Sequence, residues 1–108
     1  MLTSQQIYYF ETFGFLILRN AFSFEEINLI TKEADQVWKH TQGRDTDSGH
    51  TEVGKQISGF IEMNTVLTNL ISDDRVYVAV EQLLGPGFTY VASDGNMWAG
   101  DTVWHSDD

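Results

Sequence analysis

At 108 residues the chain is long enough for one domain with a core, and its 42% apolar and 13% aromatic content is globular rather than disordered. Six Lys and Arg against sixteen Asp and Glu give a net charge of −10, which argues against nucleic acid or an anionic membrane as a partner. There is no cysteine, so disulfides, zinc–thiolate sites and thiol catalysis are excluded.

Met1–Gln6 carries no basic stretch leading into a long apolar run, so no secretory signal is indicated. The longest apolar run, residues 15–18, is too short to span a bilayer. A soluble, cytoplasmic protein is the expectation.

Thr3 and Gln6 have capping-box spacing, and Leu2 with Ile7 has the spacing of a hydrophobic staple. A first helix therefore carries Ile7, Phe10 and Phe13 and stops at Gly14. Phe15-Leu16-Ile17-Leu18 has no alternation and predicts a strand buried on both faces. Ser23 and Glu26 repeat the capping box, with Phe22 and Ile27 as the staple. The second helix has an apolar stripe of Ile27, Ile30, Ala34, Val37 and Trp38, and Gly43 is its expected end. Lys39 and His40 complement the dipole in its last turn.

Residues 41–56 are polar and glycine-punctuated, and predict a long loop. A short strand is expected over 57–62, then a brief helix capped by Asn64 or Thr65 and carrying Val66, Leu67, Leu70 and Ile71. Ser72-Asp73-Asp74 opens a clearer helix with Val76, Ala79, Val80, Leu83 and Leu84 inward, stopped by Gly85-Pro86. From Phe88 the period is two, predicting a strand to Ser93. Asp94-Gly95-Asn96 has turn composition, Met97 to Ala99 resumes an extended course, and residues 102–107 alternate again. Helices thus come first and strands late. Because a hairpin alone is marginal in water, the expectation is the N-terminal portion of a longer protein.

His105 and Asp107 stand at i and i+2 on that last strand. Their side chains would share one face, roughly 6–7 Å apart along the strand. An imidazole and a carboxylate so placed are two members of the facial 2-His-1-carboxylate set that binds non-haem iron. Spacing alone leaves an exposed polar strand end as the more frequent explanation. His50 and Glu52 form a similar pair, better read as a solvated loop. Asp45 to Gly49 begins like a calcium loop, but His50 stands at its sixth position and Gln56 at its twelfth, so that motif fails. Trp38, Trp98 and Trp104 are expected to pack, Trp104 on the face opposite His105. Asp101 is read as a turn residue and Asp108 as a solvated residue.

Several pieces occur in one order: Thr3-Ser4-Gln5-Gln6, then Gly14-Phe15-Leu16-Ile17-Leu18-Arg19-Asn20-Ala21-Phe22-Ser23 with Glu25-Glu26-Ile27, Leu83-Leu84-Gly85-Pro86, and Gly100-Asp101-Thr102-x-Trp104-His105-x-Asp107. This set resembles the phytanoyl-CoA dioxygenase family of Fe(II)/2-oxoglutarate-dependent oxygenases, across nearly the whole chain. The resemblance implies an α+β fold in which N-terminal helices pack on the first strands of a double-stranded β-helix (jelly-roll, cupin-like). It makes residues 1–86 mainly helical with short strands, and 87–108 the start of the β core of a single domain. It further implies His105 and Asp107 as catalytic iron ligands, Fe(II) with 2-oxoglutarate as co-substrate, and hydroxylation of a small organic substrate with O2. The family's distal histidine and its keto-acid-binding arginine normally come later and are absent here. The alternative from a different class is a non-catalytic domain on the same scaffold that binds a small molecule or partner.

Overall fold

Both capping boxes form. In the computed structural model, which describes residues 1–41, 44–46, 54–98 and 104, helix α1 spans Ser4–Phe13. Thr3 N–H donates to Gln6 Oε1 at 2.9 Å, and Gln6 N–H donates to Thr3 Oγ1 at 3.2 Å. Gly14 takes a left-handed φ of 78° that lets its N–H reach Phe10 O at 2.7 Å and close the helix. Helix α2 spans Phe24–Thr41. There Ser23 N–H donates to Glu26 Oε2 at 2.7 Å, and Glu26 N–H to Ser23 Oγ at 3.2 Å. No helix among the described residues is long and apolar enough to cross a membrane.

The expected loop over 41–56 is corrected: it contains strand β1, Arg44–Thr46, and the start of strand β2, Gly54–Ser58. These pair antiparallel with Arg44 opposite Gln56 and Thr46 opposite Gly54. Backbone groups make this ladder, so its polar side chains left no periodic signal. The strand expected at 57–62 accordingly ends at Ser58, and a single 3₁₀ turn follows over Ile61–Met63.

Strand β3, Asp94–Trp98, lies antiparallel on the other side of β2, giving the order β1-β2-β3. Residues 94–96, expected as a turn, are therefore strand, with Gly95 opposite Ile57 and Asp94 opposite Ser58. The glycine there serves packing: a Cβ on Gly95 would fall 2.5 Å from Phe60 Cγ and 3.0 Å from Phe60 Cβ.

The stretch at 88–93, expected as a strand, joins no ladder among the described residues. Local bonds pin it instead: Gly59 N–H donates to Ser93 O at 2.7 Å, and the Phe88 ring packs 5.1 Å from that of Tyr77. Residues 15–18 likewise join no strand and are not buried; Phe15 is 50% and Ile17 60% exposed.

The core is small. Val37 of α2, Ile57 of β2 and Leu67 meet, with Ile30, Ala34, Trp38, Phe60, Ile61 and Leu70 packed around them. Leu67 belongs to helix α3, Thr65–Asn69, which Asn64 caps by accepting from Val66 N–H at 2.8 Å and Leu67 N–H at 3.3 Å. The other Asn64 side-chain end donates to Glu33 Oε2 at 2.7 Å, tying the cap to α2. Helix α4, Asp74–Leu84, is capped by Asp73 and stops at Gly85, as expected. It buries Ala79 outside that cluster and lies against α1.

Candidate functional site

β3, Asp94–Trp98, is the described element that precedes the His105-x-Asp107 motif in the sequence. His105 and Asp107 lie outside the described residues, as do His50, Glu52, Asp101 and Asp108. Trp104 is described, and it is 99% exposed rather than packed. Trp38 packs as expected, its ring 5.6 Å from that of Phe60. His40 is exposed in the last turn of α2.

At the start of β3 the sequence assembles a polar network that spacing did not reveal. Tyr90 Oη donates to Glu62 Oε1 at 2.6 Å, and Ser93 Oγ donates to Glu62 Oε2 at 2.5 Å. Ser93 Oγ in turn accepts from Ile61 N–H at 3.0 Å. One strand position on, Asp94 Oδ2 accepts from Gln56 Nε2 at 3.1 Å. The Ser93 hydroxyl and then the Tyr90 phenol hold the Glu62 carboxyl below the usual carboxylate range. The same bond to Glu62 pushes the Tyr90 phenol up. Residue types alone could not have signalled this group, because Glu62 lies in one turn and its donors on another segment.

Both Glu62 oxygens already accept a bond, which suits the carboxylate to fixing the approach of the chain to β3 rather than to holding a cation. Among the described residues no group of three or more His, Cys, Asp or Glu could hold a metal ion. Behind Tyr90 lies an apolar cleft of about 350 Å³, lined by Ile61, Leu70, Val80, Leu84, Phe88 and Tyr90 among others.

A second charged cluster is structural. Arg75 donates to Glu26 Oε1 at 2.8 Å and Asp73 Oδ2 at 2.7 Å, and its guanidinium stands 4.2 Å from the centroid of Phe22. Arg75 also donates to Ala21 O at 3.0 Å, so α4 is fastened to the entry of α2. The Arg75 bonds are the main reason both Glu26 and Asp73 are lowered to about 2.

Over 114 aligned residues the chain is 30% identical to ectoine dioxygenases from Bordetella parapertussis and Bordetella bronchiseptica. Each alignment takes in 98% of this chain but 37% of the relative, so the chain spans little more than a third of the length of the curated relatives it matches. No family model matches the chain, and no solved structure does.

Proposed function

We propose that this chain is part of an Fe(II)- and 2-oxoglutarate-dependent dioxygenase of the phytanoyl-CoA dioxygenase type, with His105 and Asp107 as two of its iron ligands. The similarity to two ectoine dioxygenases along almost the whole chain carries the reading. The ordered motifs ending in His105-x-Asp107 point the same way. The proposed fold is the jelly-roll of that family, with α1 to α4 beside it.

The donor chemistry fits. His105 would offer an imidazole nitrogen and Asp107 a carboxylate oxygen, the types ferrous iron takes in a facial set that leaves other positions open. With 2-oxoglutarate, the iron would supply the oxidising power to insert oxygen into an unactivated C–H bond. This chain's own part is to supply and orient those two donors. The −10 charge suits a small molecule better than a polyphosphorylated one, and ectoine, the compound in the relatives' name, is the first to test.

The test uses the protein that carries this chain, supplied with Fe(II), 2-oxoglutarate, O2 and ectoine. Succinate release and a product heavier by one oxygen are expected, with both lost in His105→Ala and Asp107→Ala. Direct titration with Mn(II) or Fe(II) should show binding weakened at least tenfold in the same variants. Metal binding unaffected by either substitution would overturn the ligand assignment. Absence of iron-dependent succinate release with every substrate tried would leave the non-catalytic binding domain.

A further inference from the structure

The turn that follows β2 grips the start of β3 residue by residue. Gly59 N–H donates to Ser93 O, Ile61 N–H donates to Ser93 Oγ, and Glu62 accepts from the Ser93 and Tyr90 hydroxyls. Between them the Phe60 ring stands where a Cβ on Gly95 would fall. A left-handed φ of 70° at Gly59 turns the chain so that these contacts can form. The strands themselves hold their register weakly. Ile57 is buried, but Gln56, Ser58, Asp94 and Asn96 are polar and not buried, and register is poorly specified in polar or glycine-bearing strands. A slip of one residue would bring Asp94 or Asn96 opposite Ile57 in place of Gly95, against the Phe60 ring, and would draw Ser93 away from its partners.

We infer that residues 59–62 are a register clamp on β3, and that Glu62 is thereby a positioning residue for the donor pair His105 and Asp107. This rests on reading that pair as iron ligands. The clamp has a steric half and a polar half. Phe60 admits glycine alone at the position opposite Ile57, and Glu62 holds the Ser93 and Tyr90 hydroxyls so that the strand enters at that position. The motif follows β3 in the sequence, so an error of register is passed along the backbone toward it. One residue of slip displaces a strand by about 3.4 Å and exchanges its two faces. Metal–donor distances vary by only about 0.2 Å, so a slip of that size removes a donor from the metal altogether.

Two measurements on the protein that carries this chain test the clamp. Cross-strand proton NOEs between Ile57 and Gly95 report register without any metal, and Mn(II) titration reports the donor pair. Glu62→Ala, a change at an exposed side chain, should replace the Ile57–Gly95 NOEs by those of a shifted pairing. It should also weaken Mn(II) binding by about tenfold or more at a temperature where circular dichroism shows the protein folded. Ser93→Ala should do the same, whereas Ser93→Thr, which keeps the hydroxyl, should restore both readouts. Native NOEs in Glu62→Ala, with or without a lower Tm, would overturn the clamp. A shifted register with undiminished Mn(II) affinity would overturn the positioning role. Failure of the ligand assignment registers separately, as unaltered Mn(II) binding in His105→Ala.

Discussion

Phe60 lies over the Cα of Gly95, where any side chain would collide with its ring. The same ring packs on Trp38, so Gly95 is read through Phe60 into the core. Gly95→Ala is expected to destabilise the fold by about 1–3 kcal/mol through overpacking, although alanine is the better residue for an ordinary backbone. Urea unfolding followed by tryptophan fluorescence measures it. In a Phe60→Leu background the same substitution should cost less, and equal costs in both backgrounds would refute the coupling.

Asn64 joins two roles, capping α3 and bonding Glu33. Asn64→Ala should cost about 1–2 kcal/mol. Asn64→Asp keeps the cap acceptor but sets a second carboxylate where Glu33 Oε2 now accepts a hydrogen bond from the Asn64 amide, and it should recover little of the loss at neutral pH. Full recovery by aspartate at neutral pH would show that the Glu33 bond contributes nothing.

Arg75 gives a pH signature. Glu26 and Asp73 are both lowered to about 2 in the folded chain, from ordinary values of 4.5 and 3.8. A lowered folded value means the unfolded chain binds protons first as acid is added. The stabilisation is therefore complete above pH 4.5 and is lost as pH falls toward 2. Arg75→Met should flatten that limb of a Tm-against-pH curve. Because Arg75 is exposed and its two carboxylate partners are partly so, 0.5 M salt should shrink the difference.

Ser93 is expected to govern Glu62 more strongly than Tyr90 does. In carboxyl-carbon NMR titrations, Ser93→Ala should move the Glu62 pKa up toward the usual range by more than Tyr90→Phe. The reverse ranking would place the main interaction on the phenol.

Elements governed by neighbouring residues were legible. Thr3 with Gln6, Ser23 with Glu26, Asn64, Asp73, Gly14 and Gly85 all act within a few positions of themselves, and each cap is where its chemistry predicts. Elements that need a distant partner were not. The hairpin of β1 and β2 is backbone pairing among polar residues, and Gly95 looks like a turn residue until Phe60, far earlier in the chain, is placed over it. Alternation at 88–93 signalled a strand, yet that stretch is held by hydrogen bonds at Tyr90 and Ser93. Of the site, the donor types at His105 and Asp107 were readable from sequence, and both residues lie outside the described ones. The Glu62 network had no local signature at all.

Among the described residues the buried cluster of Val37, Ile57 and Leu67 contains no residue of α1 or α4. These two helices lie against each other, Arg75 bonds α4 to Glu26 of α2, and α4 shares only an open cleft with Ile61 and Leu70 at the edge of the cluster. Warming should thus loosen the molecule in two stages, the α1–α4 pair yielding before the body around α2. Built-in chromophores sit on either side of that divide. Tyr8, Tyr9 and Tyr77 would report the earlier event, and Trp38 the later one.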